Sequence, residues 1–284
     1  MDESNQIIRL IHSLPVMAQR IIVAVVLIPI GVLVIVAGGW LYTAVLIAGL
    51  GYAAWEYSQL FAHGGYHPNP IVIITGVVAL VLARQLFQFS GSDILFGAMV
   101  ILTMGFEVIQ FERQGNNSAL DFNITLGGIL YLGWLGAYLI SLRTLPDGMW
   151  WVLLVLPTCW IADGAAYFIG IRFGRHKMTA RVSPKKSWEG YFAGVVFGAL
   201  GCLLLASLWH LVAPAVTSLK GLILGLALSV ITPLGDLGES MLKRGFGVKD
   251  TSQILPGHGG IMDRIDSWLW AGVIGYYMIV YLFT

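Results

Sequence analysis

Apolar stretches alternate with short polar breaks along almost the whole chain, near residues 21–38, 41–61, 71–88, 94–110, 124–142, 149–170, 189–213, 218–240 and 267–283. A helix of about 20 apolar residues crosses a hydrocarbon core about 30 Å thick. The pattern therefore predicts an all-α integral membrane protein, a polytopic helical bundle of about nine transmembrane helices. Trp40, Trp150, Trp151, Trp188, Trp209, Trp268 and Trp270 fall near predicted helix ends, where indole prefers the membrane interface. The first run, 21–37, is longer than the core of a signal peptide and leads straight into another apolar segment. It reads as a first spanning helix that stays in the mature protein. Two regions are expected: N-terminal transmembrane helices over 1–148, and a catalytic transmembrane region over 149–284 with two cytoplasmic basic loops.

Composition agrees with lipid as the solvent. Of the 284 residues, 57% are hydrophobic and 11% charged, against about 25% charged in soluble domains. The net charge of +1 says little, but its distribution sets an orientation. Arg172, Arg175, Lys177, Arg181, Lys185 and Lys186 crowd the break at 171–187, and Lys243, Arg244, Lys249 and Arg264 follow residue 240. Two spans separate these loops, so they share a face, and the positive-inside rule makes that face cytoplasmic. The N-terminus, with Arg9 and Arg20, falls on the same side. Loops assigned to the other side carry mainly Arg143 and Lys220. Cys159 and Cys202 lie inside apolar runs without metal spacing and read as small hydrophobes. Gly190, Gly194 and Gly198 form a small-residue stripe that lets helices approach closely in lipid.

The polar residues within this apolar frame are the ones that call for a role. Asp163 sits inside a span, Asp236 and Glu239 end another, and Asp263 and Asp266 open the last. Ionised carboxylates at such depths cost several kcal/mol unless paired or bound to a cation. If 234–244 is helical, Asp236, Ser240 and Lys243 share one face, and Asp263 and Asp266 share a turn of the last helix. These faces can converge on a hard cation such as Mg²⁺, which takes oxygen ligands. The turn Gly257-His258-Gly259-Gly260 lets backbone N–H groups face inward as an anion nest. Lys243, Arg244, Lys249 and Arg264 would surround a phosphate with positive charge. In the other basic loop, Ser183-Pro184-Lys185-Lys186 precedes a span, with Ser183-Pro184 reading as a helix start.

A plainer account exists for each residue. The carboxylates can be structural partners of Lys243, Arg244 and Arg264, and cytoplasmic lysines are ordinary topology signals. Acids, bases and a glycine turn packed between Ser240 and Asp266 favour function for the ensemble. The chain has no GxxxxGK[ST] loop, Rossmann GxGxxG, HExxH or GxSxG. A bound nucleotide would thus be held by metal and basic loops. A transporter with Asp163 and Asp236 as ion sites is the rival from another class, but it predicts paired broken helices in corresponding halves, and no inverted repeat is visible.

The stretch from Ser240 to Asp266 resembles the signature of the phosphatidate cytidylyltransferases, through Ser240, Leu242, Lys243-Arg244, Lys249-Asp250, Ser252, Leu255-Pro256, His258-Gly259-Gly260-Ile261, Asp263-Arg264-Ile265 and Asp266. The loop Ser183 to Gly190 and the set Asp163, Tyr167 and Gly170 resemble the family too, with Ser187 where many members carry Thr. The resemblance implies the reaction CTP + phosphatidate → CDP-diacylglycerol + pyrophosphate, assisted by Mg²⁺, in phospholipid biosynthesis. It implies Asp236 and Asp263 as leading metal ligands, joined by Asp266 and Asp163, and Asp236, Asp263, Asp266 and Lys243 as the catalytic groups. Lys243, Arg244, Lys249 and Arg264 would neutralise CTP phosphates, with Ser240 beside them and His258, Gly259 and Gly260 as a cradle. Ser183, Lys185 and Lys186 would hold either the lipid phosphate or the nucleotide. The expected partners are CTP, phosphatidate and membrane lipids, with a homodimer left open and no nucleic acid. A bacterial inner membrane is the expected location, with the site facing the cytoplasm. A CTP-dependent lipid kinase, or a cytidylyltransferase for another lipid phosphate, would use the same groups.

Overall fold

The computed structural model describes residues 16–114, 119–254, 257 and 259–283. Helices dominate them. In chain order they are α1 (Val16–Ala37), α2 (Gly39–His63), α3 (Pro70–Phe87), α4 (Ser92–Gln114), α5 (Ala119–Gly128), α6 (Leu135–Thr144), α7 (Gly148–Phe173), α8 (Trp188–Trp209), α9 (Ser218–Ile231), α10 (Pro233–Gly245) and α11 (Met262–Met278). A π-helical segment, Ile129–Trp134, joins α5 to α6, and another, Ile279–Phe283, extends α11.

Among the described residues, seven helical segments are long and apolar enough to cross a membrane: Pro70–Phe87, Ser92–Arg113, Ala119–Thr144, Gly148–Phe173, Trp188–Trp209, Ser218–Gly245 and Met262–Phe283. The two remaining apolar runs, 21–38 and 41–61, fall on α1 and α2. Helix α2 has the length of a span, with 25 residues, but carries the acidic Glu56 within it. Large apolar side chains such as Leu33, Ile101, Phe168 and Leu204 point outward, which suits a surface solvated by lipid.

Local chemistry explains where several helices begin. Asn69 accepts hydrogen bonds from the N–H groups of Ile71 (2.9 Å) and Val72 (3.3 Å), and Pro70 opens α3. Pro233 opens α10 after a break at Thr232, so the span 218–245 is two helices in line.

One difference from the sequence reading concerns Ser183-Pro184. These residues do not start a helix. They open strand β2 (Ser183–Ser187), which pairs antiparallel with β1 (Lys177–Thr179). The helix begins later because Ser187, not Ser183, accepts from a first-turn N–H, that of Gly190 at 3.2 Å. Glu189 closes the neck of the hairpin, accepting from the N–H groups of Arg175 (3.1 Å) and His176 (3.2 Å).

Two apolar cores hold the bundle. One gathers α2, α3 and the π-segment, including Leu50, Ala54, Tyr57, Ile73, Val77 and Leu132. The other gathers α7, α8 and α9, including Trp151, Leu154, Cys159, Cys202, Leu224 and Leu228. Both cysteines are free and buried there. Helices α6 and α11 contribute to both cores, through Ala137 and Leu269 to the first and Leu142 and Ala271 to the second. The glycine stripe of α8 packs on α7. A Cβ on Gly190 would stand 2.6 Å from the Ala166 carbonyl oxygen, and one on Gly194 2.9 Å from that of Ala162.

Candidate active site

The polar residues of the second half gather where the β-hairpin, the end of α7, α10 and the start of α11 meet. A close approach between α10 and α11 sets their spacing. A Cβ on Gly235 would lie 2.6 Å from a ring carbon of Trp270 and 2.8 Å from the Asp266 carbonyl oxygen, so glycine is required there. The next residue, Asp236, is thereby brought beside Asp266. Asp163 of α7 lies within electrostatic reach of Asp236, Lys186 and Arg264, and Asp266 within reach of Asp236, Asp163 and Arg264.

Lys186 reaches this group because of the hairpin. Successive strand residues face opposite ways, so Lys185 is exposed while Lys186 turns inward and pairs with Asp236. Ser240, one turn after Asp236, donates to its other oxygen at 3.3 Å. Three carboxylates thus face two cations, and Asp236 keeps about a third of its side-chain surface open (33%).

A second group forms around Asp263. One of its oxygens pairs with Lys243, and the other accepts from Thr251 N–H (3.0 Å), Thr251 O–H (2.9 Å) and Gly260 N–H (2.8 Å). Lys243 also donates to Glu239 at 3.0 Å, one helical turn earlier. The remaining Glu239 oxygen is buried and has no hydrogen-bond partner among the described residues. Asp263 and Asp266, three residues apart, therefore serve different neighbours. Among the described residues, no three His, Cys, Asp or Glu side chains stand close enough to ligate one ion together.

The other expected residues spread around these groups. Arg244 is exposed and donates to the Val248 carbonyl at 3.1 Å, which closes the end of α10. Lys249 and Arg264 are exposed, and Ser183 is half-buried in β2. Gly259 has a φ of +85°, a conformation that favours glycine, and a Cβ there would sit 2.9 Å from Asp263. Gly260 directs its N–H to Asp263. His258 lies outside the described residues.

Some members of the site had no place in the sequence reading. Glu56 of α2 is fully buried (0%) and accepts hydrogen bonds from Ser252 and from the N–H groups of Ile261 and Met262. Its signal was available, since it is a lone acid inside an apolar run. Tyr131, in the π-segment before α6, lies near Asp266 and Glu239. A π-segment is a frequent mark of a functional site, but no sequence period announces one.

The profile of the cytidylyltransferase family matches residues 18–282, nearly the whole chain. This chain belongs to the cytidylyltransferase family. It is accordingly a nucleotidyltransferase enzyme. It is similar to the phosphatidate cytidylyltransferase of Pseudomonas aeruginosa, with 34% identity covering 88% of this chain and 92% of that one. It is 32% identical to the phosphatidate cytidylyltransferase of Bacillus subtilis and 30% identical to that of Synechocystis, each over 93% of this chain and 97% of the relative. For a cytidylyltransferase, the charge layout is chemically apt: nucleotidyl transfer brings several phosphates together, and Lys186 and Arg264 set positive charge beside the acidic group.

Proposed function

We propose that this enzyme is a phosphatidate cytidylyltransferase, which transfers the cytidylyl group of CTP to phosphatidate and releases pyrophosphate, as a step of phospholipid biosynthesis. The observation that carries this reading is the meeting of Asp163, Asp236 and Asp266 with Lys186 and Arg264 at one end of a bundle of membrane helices. The names of its relatives support the same reading.

The chemistry asks for no side-chain nucleophile. A phosphate monoester has a second pKa of about 6, so phosphatidate is largely a dianion at neutral pH. One of its oxygens forms a bond to the α-phosphorus of CTP. The bond from that phosphorus to the oxygen leading to the β-phosphate breaks, and pyrophosphate leaves with the electron pair. The difficulty is bringing two anions together, which is a matter of positioning and charge neutralisation. Lys186 comes from the hairpin and Arg264 from α11, and Lys185, Lys249 and Arg244 are the further cations we assign to the phosphates. Lys186, held by Asp236 in the absence of substrate, has a phosphate as its alternative partner.

The residues present fit Mg²⁺. Three carboxylates exceed the two cations facing them, and a buried Glu239 oxygen near Asp266 and Asp263 has no hydrogen-bond partner among the described residues. Mg²⁺ commonly takes one or two protein carboxylates and fills its remaining positions with substrate phosphate and water. Asp236 and Asp266 are the pair we assign to hold it, with Asp163 nearby and Asp263 anchoring the adjoining loop through Lys243. When bound, the ion would neutralise and orient the reacting phosphates.

In the same reading, α1 and α2 join the seven apolar segments as spans, giving nine. The N-terminus and the site face the cytoplasm of a bacterial inner membrane, because basic residues crowd that end. The catalytic work is assigned to 149–284, with the phosphate of the lipid entering from the bilayer. The test is purified protein with phosphatidate, labelled CTP and Mg²⁺, and analysis of both products. CDP-diacylglycerol with pyrophosphate is expected. Lipid phosphorylation with CDP would instead mean a CTP-dependent kinase and would overturn the proposal.

A further inference from the structure

Glu56 is a carboxylate on a helix of the N-terminal half, fully buried, with donors that all belong to a segment about two hundred residues away. Ser252 donates to it at 2.5 Å, Ile261 N–H at 3.1 Å and Met262 N–H at 2.7 Å. Ile261 and Met262 begin α11, the helix that carries Asp263 and Asp266. The first N–H groups of any helix lack partners within it, and an anion there also meets the positive end of the helix dipole. Ile261 brings no side-chain cap of its own. Glu56 supplies it from across the fold.

The fit is close. A Cβ on Gly260 would come 2.5 Å from a Glu56 oxygen and 2.8 Å from its carboxyl carbon, so the glycine at this position and the carboxylate of Glu56 occupy complementary space. On its other side the same loop is held by Asp263, which accepts from Thr251 and Gly260. Two carboxylates therefore grip one loop. Glu56 takes Ser252, Ile261 and Met262, and Asp263 takes Thr251 and Gly260.

We infer that Glu56 is a positioning residue for cytidylyl transfer: it clamps Ser252 to the start of α11 at Ile261 and Met262, so that Asp263 and Asp266 are presented in one orientation. This rests on the function proposed above. Glu56 touches neither CTP nor lipid in this scheme. It acts on turnover through the placement of other groups, and it makes the catalytic half depend on α2.

Glu56→Gln keeps the size of the side chain, removes its charge and leaves one acceptor oxygen for three donors. In the purified, detergent-solubilised enzyme, kcat is expected to fall by about tenfold to a hundredfold while KM for CTP stays within about threefold, the pattern of lost positioning rather than lost binding. Peptides spanning 259–266 should exchange amide hydrogen about tenfold faster or more, with helices α7 and α8 unchanged. Either readout staying at the parent's value overturns the inference. So does a loss of activity that merely follows the fraction of folded protein. If Glu56→Gln does not fold, Ser252→Ala decides, since it removes one donor and leaves Glu56 in place. A smaller fall in kcat with faster exchange at 259–262 supports the clamp, and unchanged values overturn it. The exchange measurement needs no substrate, so it judges the clamp even if the parent makes no CDP-lipid, an outcome that would sink the proposed function instead.

Discussion

Two groups of carboxylates lie side by side at one end of this bundle, and they are built in opposite ways. Around Asp263 and Glu56, the oxygens are met by donors of the chain itself: Lys243, Thr251, Gly260, Ser252, Ile261 and Met262. Around Asp236, Asp266 and Asp163, carboxylates outnumber the cations facing them, and Asp236 stays partly open. A carboxylate whose lone pairs are filled internally holds structure. One left with spare acceptor capacity and access is available to a cation or a substrate-bound ion. Asp263 and Asp266, three apart in one motif, are both buried but differ in their donors: Asp263 takes Lys243, Thr251 and Gly260, and Asp266 the N–H of Ser267.

The largest test of this contrast is Asp236→Asn. If the open group carries the chemistry, CDP-lipid formation falls by about a thousandfold or more, with the thermal unfolding midpoint in detergent close to the parent's. Near-full activity would remove Asp236 from the site. Asp263→Asn should differ in kind, losing activity and also stability. Lys243 and the donors of the loop lose a charged acceptor in a buried setting, at a cost of about 2 kcal/mol. A midpoint equal to that of the parent would erase the contrast between the groups. The smallest effect is expected from Lys249→Ala, which is exposed and sits at the edge. KM for CTP should rise about fivefold to tenfold with kcat nearly unchanged, since a surface charge contributes mostly to binding. A normal CTP response would take Lys249 out of the nucleotide's reach.

Much of this site is readable in the chain because its geometry is local. Asp236 meets Ser240, and Glu239 meets Lys243, at the i, i+4 spacing of one helix, α10, whose observed bounds enclose the predicted 234–244. The stripe Gly190, Gly194 and Gly198 packs against α7 as small residues do in lipid. The start of α8 was misread for a local reason too. Ser183-Pro184 and Ser187 both offer a cap, and the hairpin pairing of Lys177 with Ser187 selects the later one.

Glu56 and Tyr131 show where local reading stops. Nothing within several residues of Glu56 indicates that its partners are Ile261 and Met262, more than two hundred positions later. Nor can spacing alone show that Lys186 turns to Asp236 while Lys185 faces outward.

The amino-acid sequence by itself determined the solvent, the helices, the polar strip and the family, because these follow from hydrophobic run length and from motifs with fixed gaps. Which carboxylate is filled and which is left open was decided by the tertiary structure alone. A buried carboxylate takes its role from the donors that surround it, and here those donors arrive on helices and a hairpin distant in the chain.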